Sequence, residues 1–428
     1  GVIQLSSKTE VVIDGFIITG GENENNNFGG GIRAVNSSAT IRECQFIGNW
    51  ALKGAGIGIN NSVTGLSVVI EDCVFTQNYS SDGGTAIYVT GAVNLEVTRC
   101  DMRGNSTDSV ATFYVNGSTG VNAIRDSLVA GNLSNSSLAG IYVNNGSLTV
   151  TNCSIVGNKA TLLGGLAADL SGHIEVENSI IYGNQGSEHV SAYVDGGTMT
   201  FTNCLVEDSG GSPAWSIFQT TDAGGNIDID PTFVDGSVLA SVPNVAGDYR
   251  LLSGSPAIDA GDDTLTTSST DLDGETRSFD YAVDMGAYEN QEFDAPTFSV
   301  GANRFIEFNS GGSYSISNCT KNFDANDSGQ SLVGYTVTND NEDLFSTQPT
   351  ISNAGALKFS PESGAYGVAT IYVYATDDGA SNNTSEVLSF TLTLSDAEGT
   401  GIALFDPADY TSLGSLVSSS ASIVIDTD

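Results

Sequence analysis

One motif, written eight times between residues 11 and 209, constrains this chain more than any other feature. Aligning ATIRECQFIGN, VVIEDCVFTQN, LEVTRCDMRGN, NAIRDSLVAGN, LTVTNCSIVGN, IEVENSIIYGN and MTFTNCLVEDS behind the leading VVIDGFIITGG gives one column. It reads Gly15, Cys44, Cys73, Cys100, Ser127, Cys153, Ser179 and Cys204, at spacings of 29, 29, 27, 27, 26, 26 and 25 residues. Three places earlier every residue is apolar: Val12, Ile41, Ile70, Val97, Ile124, Val150, Val176 and Phe201. Two places later the same holds for Ile17, Phe46, Phe75, Met102, Val129, Ile155, Ile181 and Val206. Offsets of −3, 0 and +2 cannot share one face of a straight strand, whose side chains alternate with period 2. A bend must fall between −3 and 0.

Position −1 supplies that bend with Asp14, Glu43, Asp72, Arg99, Asp126, Asn152, Asn178 and Asn203. Asp and Asn dominate here, and they tolerate the left-handed backbone a one-residue corner needs. A second corner is expected at +5, where Asn49, Asn78, Asn105, Asn132, Asn158 and Asn184 recur. Each unit also carries a second strand, as in GGGIRAV, GAGIGIN, GTAIYVT and LAGIYVN. No unit of this size can bury its own apolar face, so neighbours must stack and share a core. At about 4.8 Å per rung, eight coils would extend about 38 Å. The pattern predicts an all-β fold whose first part is a parallel β-helix.

The period resembles the right-handed parallel β-helix repeat families, pectate-lyase-like proteins among them, which implies the right-handed form. The pairing of GGGI with FIGN, and of GAGI with FTQN, further resembles the polymorphic outer-membrane proteins, which are autotransporter passengers. A later block, GNIDIDPTFVD, GDYRLLSGSPAIDAGDD and TDLDGETRSFDYAVDMGAYE, resembles the C-terminal end of secreted bacterial β-helix proteins that carry sorting anchors. It is expected to form irregular coils and a cap over about 225–290, closing a β-helix of 1–290. Arg250 and Arg277 sit there among many carboxylates, which predicts ion pairs.

Pro296 in EFDAPTF marks a change of register. From 296 to 396, GYTVTND, ALKFSP, GVATIYVYATDDG and VLSFTLTLSD alternate strictly between turns, which predicts an antiparallel sandwich. LFSTQPTISNAGALKFSPESGAYGVATIYVYATDDG resembles the cadherin-like or immunoglobulin-like repeats of bacterial surface adhesins. Residues 397–428 would then start a further module or a linker. The chain lacks an initiator Met and opens directly in strand-like alternation, so a fragment of a longer polypeptide is expected.

Composition narrows the function. Asp and Glu number 51 against 13 Lys and Arg, a net charge of −38. Nucleic acid is excluded as a partner, since no basic stripe exists to displace counterions from phosphate. An anionic bilayer surface would repel the chain, and no run approaches the 18 apolar residues of a span. Six cysteines could suggest disulfides, but five share one inward column in which Ser stands twice. A reduced buried ladder is expected, with Cys319 outside it and unassigned. Zinc is disfavoured with only His173 and His189 and no CxxC. Asn-x-Ser/Thr sequons, for example at Asn36, Asn78 and Asn145, follow from corners that want Asn.

An enzyme on this fold would be a polysaccharide lyase or hydrolase. A lyase needs a Lys or Arg base, and the repeats offer Arg33, Arg42, Lys53, Arg99, Arg103, Arg125 and Lys159. Outward neighbours such as Arg42 and Glu71 are expected to pair across rungs. Hydrolysis of the polygalacturonase kind needs clustered Asp on one strand face, which the repeats do not show. Calcium is the cofactor to consider: DLDG (Asp271, Asp273), TDDG (Asp377, Asp378) and Asp340 set oxygens at short spacing. Asp-Gly is equally a turn pair, and neither segment completes an EF-hand. The expected role is non-enzymatic: an extracellular or bacterial cell-surface adhesin-type or scaffold protein. Its partner would be a cell-surface or matrix glycan or protein. A polysaccharide-active enzyme or glycan-binding module is the first alternative, and a self-associating filament or tube subunit the second.

Overall fold

The computed structural model describes all residues except 188–189, 237–241, 309–311, 328, 380 and 397–428. His189 and the expected further module at 397–428 therefore lie outside the described residues. The chain divides into two compact units, Gly1–Gln291 and Glu292 onward.

The first unit is a parallel β-solenoid of three sheets with thirteen, eight and five strands. The eight-stranded sheet shows the repeat most simply. Ile17–Thr19, Gln45–Ile47, Val74–Thr76, Asp101–Arg103, Leu128–Ala130, Ser154–Val156, Ile180–Tyr182 and Leu205–Val206 stack in parallel register, one per rung. Phe46, Phe75, Met102, Val129, Ile155, Ile181 and Val206 point inward as one buried column. Phe46 and Phe75 stack face to face at 4.7 Å between centroids.

The corners take the form the sequence predicts. Glu43, Asp72, Arg99, Asp126, Asn152, Asn178 and Asn203 all hold φ between 46° and 55°. The leading coil needs a correction of one residue. Ile13, not Val12, pairs with Ile41, and Ile18, not Ile17, pairs with Phe46. Val12 and Ile17 are 60% and 65% exposed. Gly15 is thus the corner residue of its coil (φ 73°), in register with Glu43 rather than Cys44.

The second corner also moves by one place. Its left-handed residues are Gly20, Gly48, Gln77, Gly104, Gly131, Gly157 and Gly183 at +4. The Asn at +5 instead turns inward and builds a buried ladder. Asn132 shows the unit: its carbonyl accepts from the Asn105 backbone N–H (2.9 Å) and Nδ2 (3.0 Å). Its own Nδ2 donates to the Met102 carbonyl (2.9 Å) and to Asn158 Oδ1 (2.8 Å). The same links run from Asn49 through Asn78, Asn105 and Asn158 to Asn184. The side-chain polar atoms of Asn132, withdrawn from water, thus find partners on both adjacent rungs. Asn78 is fully buried, so its sequon is closed to glycosylation.

All six cysteines are free and buried. In the column each thiol donates to the carbonyl two residues earlier, as Cys153 does to Thr151 at 3.2 Å. Ser127 and Ser179 make the same bond at 2.6 and 2.7 Å, which is why Ser substitutes there. Burial pushes the Cys204 thiol up to about 12, so it stays protonated and unreactive.

Closure of the solenoid end and the region expected to be a cap are separate. The end itself is closed early, where Trp215 packs on Phe201 of the last full rung at 5.3 Å. Residues 231–236 and 242–290 turn back and lie as a strap on the outer side of the eight-stranded sheet. Phe233, Tyr249, Leu251, Met285 and Tyr288 share a core there with Leu128, Val156, Ile180 and Leu205. Among the described residues no helix is long and apolar enough to cross a membrane.

The second unit holds a four-stranded sheet in the order Arg304–Phe308, Leu388–Asp396, Gly367–Asp377 and Leu332–Asn339. A three-stranded sheet of Tyr314–Ile316, Leu357–Pro361 and Phe345–Ile351 completes its core with Phe359, Ile371, Val373 and Leu392. Pairing is antiparallel except between Arg304–Phe308 and Leu388–Asp396, which run parallel, so the sheet is mixed rather than purely antiparallel. Cys319 is buried in this core.

Candidate functional site

The strap is held along the corner column. Asn178 Nδ2 donates to the Asp262 carbonyl (2.9 Å) and its Oδ1 accepts from the Asp262 N–H (2.9 Å). Asn152 meets Thr266, and Asp126 accepts from the Ser268 hydroxyl. Arg277, fully buried and the largest such side chain, closes the line. Its Nη2 donates to the carbonyls of Asp284 (2.7 Å) and Gly286 (2.8 Å). Its Nε stands 3.5 Å from Asp126 Oδ1 and its Nη1 3.9 Å from Glu289 Oε2.

The guanidinium is thus ion-paired with two buried carboxylates, Asp126 and Glu289, and its charge also acts on two more, Asp271 and Asp284. Glu289 is bonded by the backbone N–H groups of Phe279 and Asp284, and Asp284 by those of Asp259 and Asn290. Burial nevertheless raises Asp284 to about 7 and Glu289 to about 8. Burial also raises Asp126 and Asp271.

Beyond Arg277 the strap leaves the corner column uncovered, and a cleft of about 400 Å³ opens beside Asp72, Arg99, Asp101, Arg103, Asp248 and Arg250. Arg99 forks onto Asp72 through Nε (2.7 Å) and Nη2 (2.8 Å). On the strap side Arg250 forks onto Asp273 (2.6 and 2.8 Å) and reaches Asp248 (3.0 Å). Arg103 binds Asp101 and the Gly247 carbonyl at 3.2 Å. Arg250 lies over the Tyr288 ring at 5.2 Å, and Leu272 and Val74 supply the apolar wall.

The five proposed metal ligands fall in separate places. Asp271 accepts from the N–H groups of Asp273, Glu275 and Glu289, and Asp273 holds Arg250. Both act as strap-building turns. Asp340 accepts from the Thr370 N–H, and Asp378 from the Ser331 N–H and hydroxyl. Asp377 is 2% exposed, with Oδ1 on the Gly379 N–H and Oδ2 without a hydrogen bond. Among the described residues no three His, Cys, Asp or Glu side chains are grouped to hold an ion. Arg42 faces Glu71 in register as expected, yet its guanidinium forks onto Asp14 of the preceding rung (2.9 and 2.8 Å).

With three parallel sheets, one rung per repeat, the family comparison has a definite outcome. The model of the right-handed β-helix region matches residues 3–168 and 86–230, which together span more than half of the chain. The chain belongs to the right-handed β-helix family. Comparison with curated proteins finds no match, and comparison with solved structures finds none. This β-helix family includes both surface proteins and polysaccharide-active enzymes. The strap's docking line was missed in the sequence. Its signal lay in outward positions that are mixed through the fourth rung (Gln45, Ile47, Val74, Thr76, Asp101, Arg103) and mainly apolar from the fifth (Leu128, Ala130, Val156, Ile180, Leu205).

Proposed function

We propose that this β-helix protein is a non-enzymatic recognition or scaffold protein of the bacterial cell surface or exterior, of the adhesin type. The state of its cations carries the reading. Of the seven in the repeats, Arg42, Lys53, Arg99, Arg103 and Arg125 are each bound to a carboxylate. Hydrogen bonds donated to Asp14 and Asp72 raise Arg42 and Arg99, moving them further from service as a base. The second unit, read as an immunoglobulin-like sandwich, suits a spacer or display domain. If calcium binds, Asp377 is its point of entry, because one of its oxygens is buried without a donor.

The test incubates the full chain with neutral and acidic polysaccharides, following reducing ends and unsaturated products while measuring retention on surfaces coated with each polymer. Retention without product is the expected result. Product release that requires one of these arginines would overturn the reading.

A further inference from the structure

We propose that two copies of this chain pair edge to edge through Leu332–Asn339, joining their four-stranded sheets into one about a twofold axis. This pairing is independent of the surface-recognition reading. Leu332–Asn339 ends its sheet, with Gly367–Asp377 as its one strand neighbour among the described residues. Beyond that neighbour its backbone meets one further hydrogen bond among the described residues, from Asn353 Nδ2 to the Val333 carbonyl (3.1 Å). Such an edge offers backbone donors and acceptors to an approaching strand unless charge, proline or a bulge blunts it. The other edges of this unit are blunted or short. Arg304–Phe308 carries Arg304 and Glu307, Thr320–Asp324 carries Lys321 and Asp324, and Phe345–Ile351 holds Pro349 and two register shifts. Tyr314–Ile316 and Thr297–Val300 are three and four residues long. Leu332–Asn339 runs for eight residues, LVGYTVTN, without charge or proline, its one irregularity confined to Val333 near the start.

The strand's own sequence selects a second copy as the occupant. Antiparallel pairing about Thr336 sets Tyr335 opposite the copy's Val337 twice over, and Thr336 opposite its own copy. These are aromatic–β-branched and Thr–Thr pairs, the combinations that stabilise neighbouring strands. Tyr335 and Val337 are half-buried against the core, whereas Ile371 and Val373 on the next strand are fully buried. An added strand completes their burial. Thr336 and Thr338 lie exposed on the opposite face, in register with Tyr374 and Tyr372. Charge favours this meeting over others. The chain carries −38, so its acidic surfaces repel their own copies, but this strand brings no charge to the contact. Asp340, which follows it, turns its carboxylate to the Thr370 N–H of the neighbouring strand (2.7 Å). The remaining like charges are screened over about 10 Å at 0.1 M salt, so pairing should tighten as salt rises. A twofold contact uses the same edge on both copies and closes on itself, giving a dimer rather than a filament.

Sedimentation velocity of the full chain over a concentration series, at low and high salt, reads the assembly. A monomer–dimer equilibrium whose dissociation constant falls as salt rises is expected. Thr336→Lys and Thr336→Glu each set like charges against each other on the twofold, at an exposed position where the wild-type melting temperature should be kept. Each is expected to weaken dimerisation tenfold or more. Mixing the two variants in equal amounts sets Lys opposite Glu and is expected to restore dimers. The proposal is overturned if the full chain stays monomeric at every concentration and salt, or if both variants dimerise as wild type does. It is overturned too if the mixture dimerises no better than either variant alone. A monomeric chain that captures a peptide of sequence LVGYTVTN would equally overturn it, marking the edge as a receptor for a foreign strand.

Discussion

The repeats and the strap stabilise one unit by opposite means. In the rungs a single local demand recurs, and each asparagine, thiol or left-handed corner is met by its own copy 25–29 residues away. In the strap every contact occurs once: Asn178 with Asp262, Asn152 with Thr266, Arg277 with Asp126. Repetition spreads stability over nearest neighbours, whereas the strap concentrates it in one buried guanidinium among four carboxylates. The rungs should therefore tolerate changes that copy a neighbour, and the strap should fail as a block.

The largest effect is expected inside the ladder. Asn132→Leu removes two donors and two acceptors from buried partners on both adjacent rungs. Each group left unsatisfied costs about 1–3 kcal/mol, so a total loss on the order of 4 kcal/mol is expected, read as a lower melting temperature. Arg277→Met follows, at about 3–5 kcal/mol for removing one partner of a buried ionic cluster. Here the loss should be local: limited proteolysis should cut within 231–290 while residues 30–206 stay protected. Equal exposure of both regions would break the comparison.

The pH response sharpens it further. A carboxyl raised by burial favours the fold while protonated. The stability it contributes is complete below its ordinary value of about 4 and is lost as pH rises through the folded value. With Asp284 near 7 and Glu289 near 8, the strap should weaken between about pH 4 and 8 and level off above that, and Asp284→Asn should flatten that slope. The smallest effect belongs to Cys153→Ser, within about 1 kcal/mol of wild type by thermal unfolding, because Ser127 and Ser179 already occupy the column.

What could be read from the sequence follows the same division. The inward columns from Ile41 onward were legible because seven coils repeat them. The leading coil was misplaced because a glycine serves a column or a corner equally well, and only strand pairing distinguishes them. Asn at +5 announced a corner, but a buried amide ladder and a turn residue leave the same letter in the sequence. The course of the strap along the flank depends on contacts between positions more than 80 residues apart, such as Asn178 with Asp262, which leave no local pattern. The cleft is invisible for that reason: Arg99 and Arg250 share no local pattern. Asp271, Asp273, Asp377 and Asp378 stand in DLDG and TDDG segments, and turns and ion loops both use that spacing.

The most direct test of the account is hydrogen exchange of the full chain at pH 6 and pH 9, corrected for intrinsic rates and followed by peptide-resolved mass spectrometry. The account predicts that amides of 231–290 lose protection at pH 9 while those around Asn78, Asn105, Asn132 and Asn158 keep theirs. Loss of protection in both regions together, or in neither, would contradict a repeat-built solenoid carrying a separately latched strap.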